Sequence, residues 1–192
     1  MGRAICGAHP RSPGLFVIFS QTKLSGAFIV ESEKLEDERG FFARTWCQRE
    51  FEAHGLNPRL AQSSISFSKA KGTLRGMHYQ VSPCEEAKLV QCTSGAIYDV
   101  IIDLRPKSHT FKRYLAETLS VQNHRMLYVP EGFAHGFLTL EDNCEVFYQI
   151  SEFYAPERAR GVRWNDPAFE IVWPLDPSAM SDRDRNCPDF TL

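Results

Sequence analysis

Nowhere in the 192 residues is there a C-x-x-C pair or a dense run of cysteines. The six cysteines (Cys6, Cys47, Cys84, Cys92, Cys144 and Cys187) are scattered, which excludes a zinc ribbon and a secreted disulfide scaffold and fits reduced thiols in the cytoplasm. Long apolar runs are also missing. No segment approaches the ~20 residues of a membrane-spanning helix, and the run from Leu15 to Phe19, preceded by Pro13, is too short for the core of a secretion signal. Charge of one sign is not in excess: 22 basic against 24 acidic residues leave a formal net charge of -2. No global field draws the chain to nucleic acid or to a membrane surface, so any anionic ligand must be held locally.

What the sequence does have is a hydrophobic fraction of 43%, enough for one sizeable core at this length. Short β-rich runs fill the middle of the chain at 87–93, 96–104, 111–120 and 144–151. Turn-forming residues separate them. Ser94-Gly95 suits a tight hairpin, 105–108 a longer turn, and 122–124 and 142–143 two more. Helix is expected only at 48–54, ended by Gly55, and around 181–185. No repeat or linker marks a second domain. The chain divides into an N-terminal extension, residues 1–21, loosely attached, and a single domain over 22–192.

Two segments carry histidines in a distinctive frame. Gly72–Gln80 (GTLRGMHYQ) and Pro130–Gly136 (PEGFAHG) resemble the two halves of the cupin signature, G-x5-H-x-H and P-x-G-x2-H. The resemblance implies an all-β, cupin-like double-stranded β-helix (jelly-roll) barrel with a few short helices and with His78 and His135 inside it. Metal-binding cupins use a second histidine where this chain has Gln80. An amide oxygen is a weak ligand beside imidazole, and Lys88, close after Glu85 and Glu86, would repel a divalent ion. The expectation is no metal and no cofactor, leaving the histidines to acid–base chemistry or to structure.

The wider set of motifs is more specific. Asp37–Phe42 (DERGFF), Leu74–Gln80 (LRGMHYQ), Lys88–Val90 (KLV), Val129–Phe137 (VPEGFAHGF), Trp164–Pro167 (WNDP) and Ser181–Asp184 (SDRD) occur in the order found in dTDP-4-dehydrorhamnose 3,5-epimerases. From about Thr22 to the C-terminus the chain resembles that family. The resemblance implies that His78 is the base beside a sugar ketone, that Asp184 pairs with it, and that Tyr148 is the proton donor. Strand alternation independently sends Cys144, Val146 and Tyr148 to one face. By the same resemblance Lys88 and Arg75 lie near the ketone and phosphates, and His135 is a second pocket histidine that binds substrate. Arg39, Phe42, Arg44, Gln62, Ser64, Tyr154 and Arg183 occupy positions associated with the nucleotide sugar. The family exchanges the R-G-F-F strand between subunits, which implies a homodimer.

The chain departs from the family at binding positions. Arg44 stands where a glutamate is expected, Ser63 and Ser64 where Asp and Asn are, Ala159 where a glutamate is, and Arg183 where a lysine is. Reversal of charge at Arg44 alters which base or phosphate arrangement is favoured. The nucleotide (dTDP, CDP, GDP or UDP) and the inverted carbon (C3, C5 or both) therefore stay open. A related nucleotide-sugar 3,4-ketoisomerase, a metal-dependent cupin oxygenase and a non-catalytic sugar-nucleotide binding module are the alternative readings.

Overall fold

The computed structural model describes residues 15–191. Six strands form one antiparallel sheet in the order β1 (Val17–Gln21), β2 (Phe28–Ser32), β10 (Met126–Val129), β7 (Lys88–Ser94), β12 (Cys144–Ile150) and β5 (Gln62–Ser68). A five-stranded sheet faces it, in the order β13 (Ala159–Gly161), β6 (Leu74–Gln80), β11 (Phe133–Thr139), β8 (Ala96–Asp103) and β9 (Tyr114–Ser120). A hairpin of β3 (Lys34–Asp37) and β4 (Gly40–Ala43) stands apart as its own two-stranded sheet. This is the cupin-like jelly roll expected from the motifs.

Alternation along the strands builds the interior. Val90 and Cys92, Ile97 and Ile101, Phe133 and Phe137, and Cys144 and Val146 are spaced two or four apart, and all are buried in one cluster between the sheets. A second cluster lies on the outer face of the six-stranded sheet, under α1 (Gln48–Ala53). That helix has only six residues and no side-chain N-cap, so it owes its stability to packing of the buried Phe51. The third cluster covers the outer face of the other sheet, where the C-terminal segment lays Val162, Phe169 and Trp173 over Val100 and Ile102.

Two expectations change. Ser94-Gly95 does not close a hairpin, because β7 and β8 belong to different sheets. Gly95 turns the corner between them at φ +74, with room for no side chain beside Cys144 Sγ. Val17–Gln21, read as part of the extension, forms β1 and pairs with β2 from Val17↔Ser32 to Gln21↔Phe28, because Val17 joins the cluster under α1. The rest of that extension up to residue 14, with Cys6, lies outside the described residues. The other five cysteines are free.

Candidate active site

The end of the barrel away from its apolar filling holds a cavity of about 260 Å³. It arises where inward positions switch from apolar to polar along the same strands. On β12 the inward series Cys144, Val146 continues to Tyr148; on β7 the series Cys92, Val90 ends at Lys88; on β11, His135 lies between Phe133 and Phe137.

The five-stranded sheet supplies Arg75, His78 and His135. Strict alternation would not turn both Arg75 and His78 inward. The register shows how they do so: His135 faces His78 but Phe137 faces Arg75, so β6 uses one residue more than β11 across this stretch. Gly76 makes the bulge feasible. Its φ is +129, and a Cβ there would stand 2.5 Å from Gly136 Cα. The glycine of the L-R-G-x-H segment is thus what lets the arginine and the histidine share a cavity.

Behind His78 stands Asp184, with Nε2 and Oδ1 2.6 Å apart. The carboxylate is delivered by α2 (Asp182–Arg185), whose N-cap Ser181 accepts the Asp184 N–H at 3.1 Å. The Gly76 N–H donates to the other carboxylate oxygen at 3.3 Å. Burial works against the charge on Asp184, but the His78 hydrogen bond and charge, with the Gly76 and Ser181 contacts, outweigh it and hold the carboxyl below its ordinary value. With Nε2–H committed to an anion, Nδ1 is the nitrogen left to take a proton.

A second pair sits on the neighbouring strands. His135 Nε2 lies 2.7 Å from Oδ1 of Asp99 on β8, and both residues are buried. Sequence reading missed Asp99. Its one signal was an acid interrupting the otherwise apolar run of residues 96–102 (AIYDVII).

The six-stranded sheet supplies the opposite wall: Tyr148 and Lys88, then Gln62 and Ser64 from β5. The Tyr148 ring meets His135 edge to face, centroids 6.1 Å apart. Burial pushes the Tyr148 phenol far above its ordinary pKa, and the nearby Asp99 charge adds to that. Lys88 Nζ pairs with Glu86 Oε1 at 2.9 Å. Tyr154 and Arg183 stand at the mouth, where the Tyr154 N–H donates to Gln62 Oε1 at 2.7 Å. Arg75 spans the sheets, donating from Nε to Ser68 Oγ at 3.1 Å and from Nη2 to the Phe67 carbonyl at 2.9 Å. Gln80, in the place of a cupin's second histidine, is tied into loops: its amide donates to the Cys84 carbonyl at 2.8 Å and accepts the Ala155 N–H at 2.6 Å.

Three expected binding residues are not brought to this cavity in the single chain. Arg39 pairs with Asp37 in the turn between β3 and β4, Phe42 is 65% exposed on β4, and Arg44 donates to the Leu15 carbonyl at 3.0 Å. Glu86, Glu152 and Arg160 line the cavity without having been singled out as site residues from sequence.

A family model described as dTDP-4-dehydrorhamnose 3,5-epimerase matches residues 21–191. A dTDP-4-dehydrorhamnose 3,5-epimerase of Methanothermobacter thermautotrophicus is 43% identical over 171 residues, 88% of this chain and 91% of that protein. Among solved structures, the Bacillus anthracis dTDP-4-dehydrorhamnose 3,5-epimerase with TDP and PPi bound superposes with a TM-score of 0.88 at 40% identity, covering 91% of this chain and all of the other. A Legionella pneumophila dTDP-6-deoxy-D-glucose-3,5-epimerase in complex with dTDP-4-keto-L-rhamnose superposes with a TM-score of 0.84 at 34% identity, over 91% of this chain and 93% of the other. With the ordered motifs and the two-walled cavity, these matches establish that the chain belongs to the dTDP-4-dehydrorhamnose 3,5-epimerase family, carbohydrate epimerases of the isomerase class.

Proposed function

We propose that the protein inverts C3, C5 or both of a nucleoside-diphospho-4-keto-6-deoxy sugar, of the dTDP-4-dehydro-6-deoxyglucose to dTDP-4-dehydrorhamnose type, through an enolate. The observation that carries this reading is the placement of His78 and Tyr148 on opposite sheets facing one cavity. Inversion requires a proton to leave one face of a carbon and another to arrive on the opposite face.

His78 takes the proton from the carbon beside the C4 ketone on Nδ1, while Asp184 holds the ring through Nε2–H and stabilises the imidazolium that forms. The electron pair of the broken C–H bond becomes the enolate, with negative charge on the ketone oxygen. Lys88 and Arg75 meet that charge, and one well-placed donor of this kind lowers the barrier by about 3 kcal/mol. Tyr148 then gives its phenolic proton to the same carbon from the other side. Burial keeps that phenol protonated and so available as an acid.

Gln62, Ser64, Tyr154 and Arg183 at the mouth hold the nucleotide. Arg39, Phe42 and Arg44 serve the site of a second copy: the free-standing hairpin of β3 and β4 carries exposed Phe41 and Phe42, and edge strand β5 presents exposed Ile65 and Phe67. A homodimer with the hairpin exchanged covers these apolar side chains. Among the described residues no helix is long and apolar enough to cross a membrane. We place the reaction in the cytoplasm, where the five free thiols stay reduced.

The test is incubation with dTDP-4-dehydro-6-deoxyglucose in deuterium oxide, followed by NMR of the sugar C3 and C5 protons. Deuterium at both carbons is expected of a double epimerase, and at one carbon of a single-site epimerase. Absence of exchange with the dTDP, CDP, GDP and UDP 4-keto-6-deoxy sugars alike would sink the reading.

A further inference from the structure

Residues 86–92 alternate strictly. Ala87 and Leu89 are buried in the cluster under α1, while Glu86 and Lys88 face the cavity and Val90 and Cys92 continue on that side into the core. Glu86 and Lys88 therefore enter the cavity side by side, two residues apart on the same wall. Glu86 Oε1 stands 2.9 Å from Lys88 Nζ, and each side chain keeps only 11% of its surface exposed. The other carboxylates around the cavity are committed elsewhere: Asp184 to His78, Asp99 to His135, and Glu152 to Arg59 at 2.6 Å.

We propose that Glu86 is a positioning residue for Lys88: its carboxylate fixes the ammonium at one point of the cavity wall and takes one N–H, leaving two N–H donors for the ketone oxygen of the substrate. The proposal rests on the reading of Lys88 as the cation that meets the enolate. An ammonium has three donors and no acceptor, so a single carboxylate partner orients it without exhausting it. Lysine otherwise ends a flexible four-carbon stem, and a donor that must be ordered as charge develops stabilises a transition state less than one already in place. This ordering acts on the reacting oxygen and not on the nucleotide.

The experiment compares Glu86→Gln, Glu86→Asp, Lys88→Ala and the Glu86→Gln/Lys88→Ala double variant in the full chain. It measures kcat and KM for dTDP-4-dehydro-6-deoxyglucose, affinity for dTDP, and Tm. Glu86→Gln should lower kcat by about 10- to 100-fold, as expected for disorganising one oxyanion donor. KM, dTDP affinity and Tm should stay near wild type, and Glu86→Asp should recover part of the loss. In the Lys88→Ala background Glu86→Gln should cost nothing further, because a positioning residue has no effect without the group it positions. The proposal is overturned if Glu86→Gln keeps wild-type kcat, if the two losses multiply, if dTDP affinity and Tm fall along with kcat, or if Lys88→Ala is fully active. A wild-type protein that exchanges no sugar proton would instead remove the epimerase reading itself.

Discussion

The two histidine–carboxylate pairs look alike on paper and differ in what surrounds them. Both join Nε2 to an aspartate oxygen, at 2.6 Å for His78–Asp184 and 2.7 Å for His135–Asp99, and the two histidines face each other across β6 and β11. The His78 side chain is 39% exposed, that of His135 only 4%. Asp184 has work for both oxygens, since the Gly76 N–H reaches the second. Asp99 Oδ2 is buried with no hydrogen-bond partner among the described residues. The open, satisfied pair can exchange a proton with a ligand. The closed pair sets the Asp99 charge beside Tyr148, where, after burial, it makes the phenol harder to ionise.

Alanine variants separate the pairs most sharply. His78→Ala should lower kcat by about 10²- to 10⁴-fold, the usual share of a general base. Its Tm should fall less than that of His135→Ala, since Asp184 keeps its Gly76 and Ser181 contacts. His135→Ala strips the buried Asp99 of its remaining partner, and an uncompensated buried charge destabilises by about 3–5 kcal/mol. Urea unfolding of both variants beside kcat is the check. Equal losses of stability, or full activity in His78→Ala, would erase the distinction.

A smaller effect tests the link from the closed pair to the acid. Asp99 is among the causes, after burial, that keep the Tyr148 phenol protonated. Asp99→Asn removes a nearby negative charge and so makes the phenol easier to ionise. The Tyr148 phenolate, read as the ultraviolet difference from Tyr148→Phe, should form at lower pH, while in Asp184→Asn kcat should fall about tenfold or more through loss of the orienting carboxylate. A phenolate that forms no earlier in Asp99→Asn would mean that Asp99 serves His135 alone.

The same contrast marks what the sequence could disclose. The strand at 96–104 and the helices at 48–54 and around 181–185 follow from a β-rich run between turn residues, from Gly55 and from the charged C-terminal segment, all signals local to a few residues. Sheet membership does not: Gly95 reads as a hairpin turn but links β7 and β8, which lie in different sheets. Asp184 is 106 positions from His78, and no local pattern ties them. Only the ordered motifs did so. Asp99 escaped because an acid within a buried strand declares itself only when its partner, on another strand, is known. Arg39, Phe42 and Arg44 were placed by resemblance, and in the single chain they are not among the residues that line the cavity.

The smallest expected effect concerns acid stability. Asp184 has a carboxyl pKa lowered from the ordinary 3.8. A more deeply held carboxylate, Asp103, closes the turn after β8. Burial works to raise its pKa, but Arg105, Ser108 and Thr110 bring it down to about 2. A depressed pKa means that the unfolded chain takes up the proton first, so each group stabilises the fold above its unfolded value and that share is lost as pH falls through the folded one. Between pH 3.8 and about 2 the urea midpoint of the wild-type protein should therefore fall. Asp184→Asn should flatten that fall slightly and Asp103→Asn more, because Asp103 is fully buried and donors from three side chains converge on it. If Asp184→Asn flattened the curve as much as Asp103→Asn, the His78 pair would be a structural clamp as tight as the turn, and less free to pass a proton than the site requires.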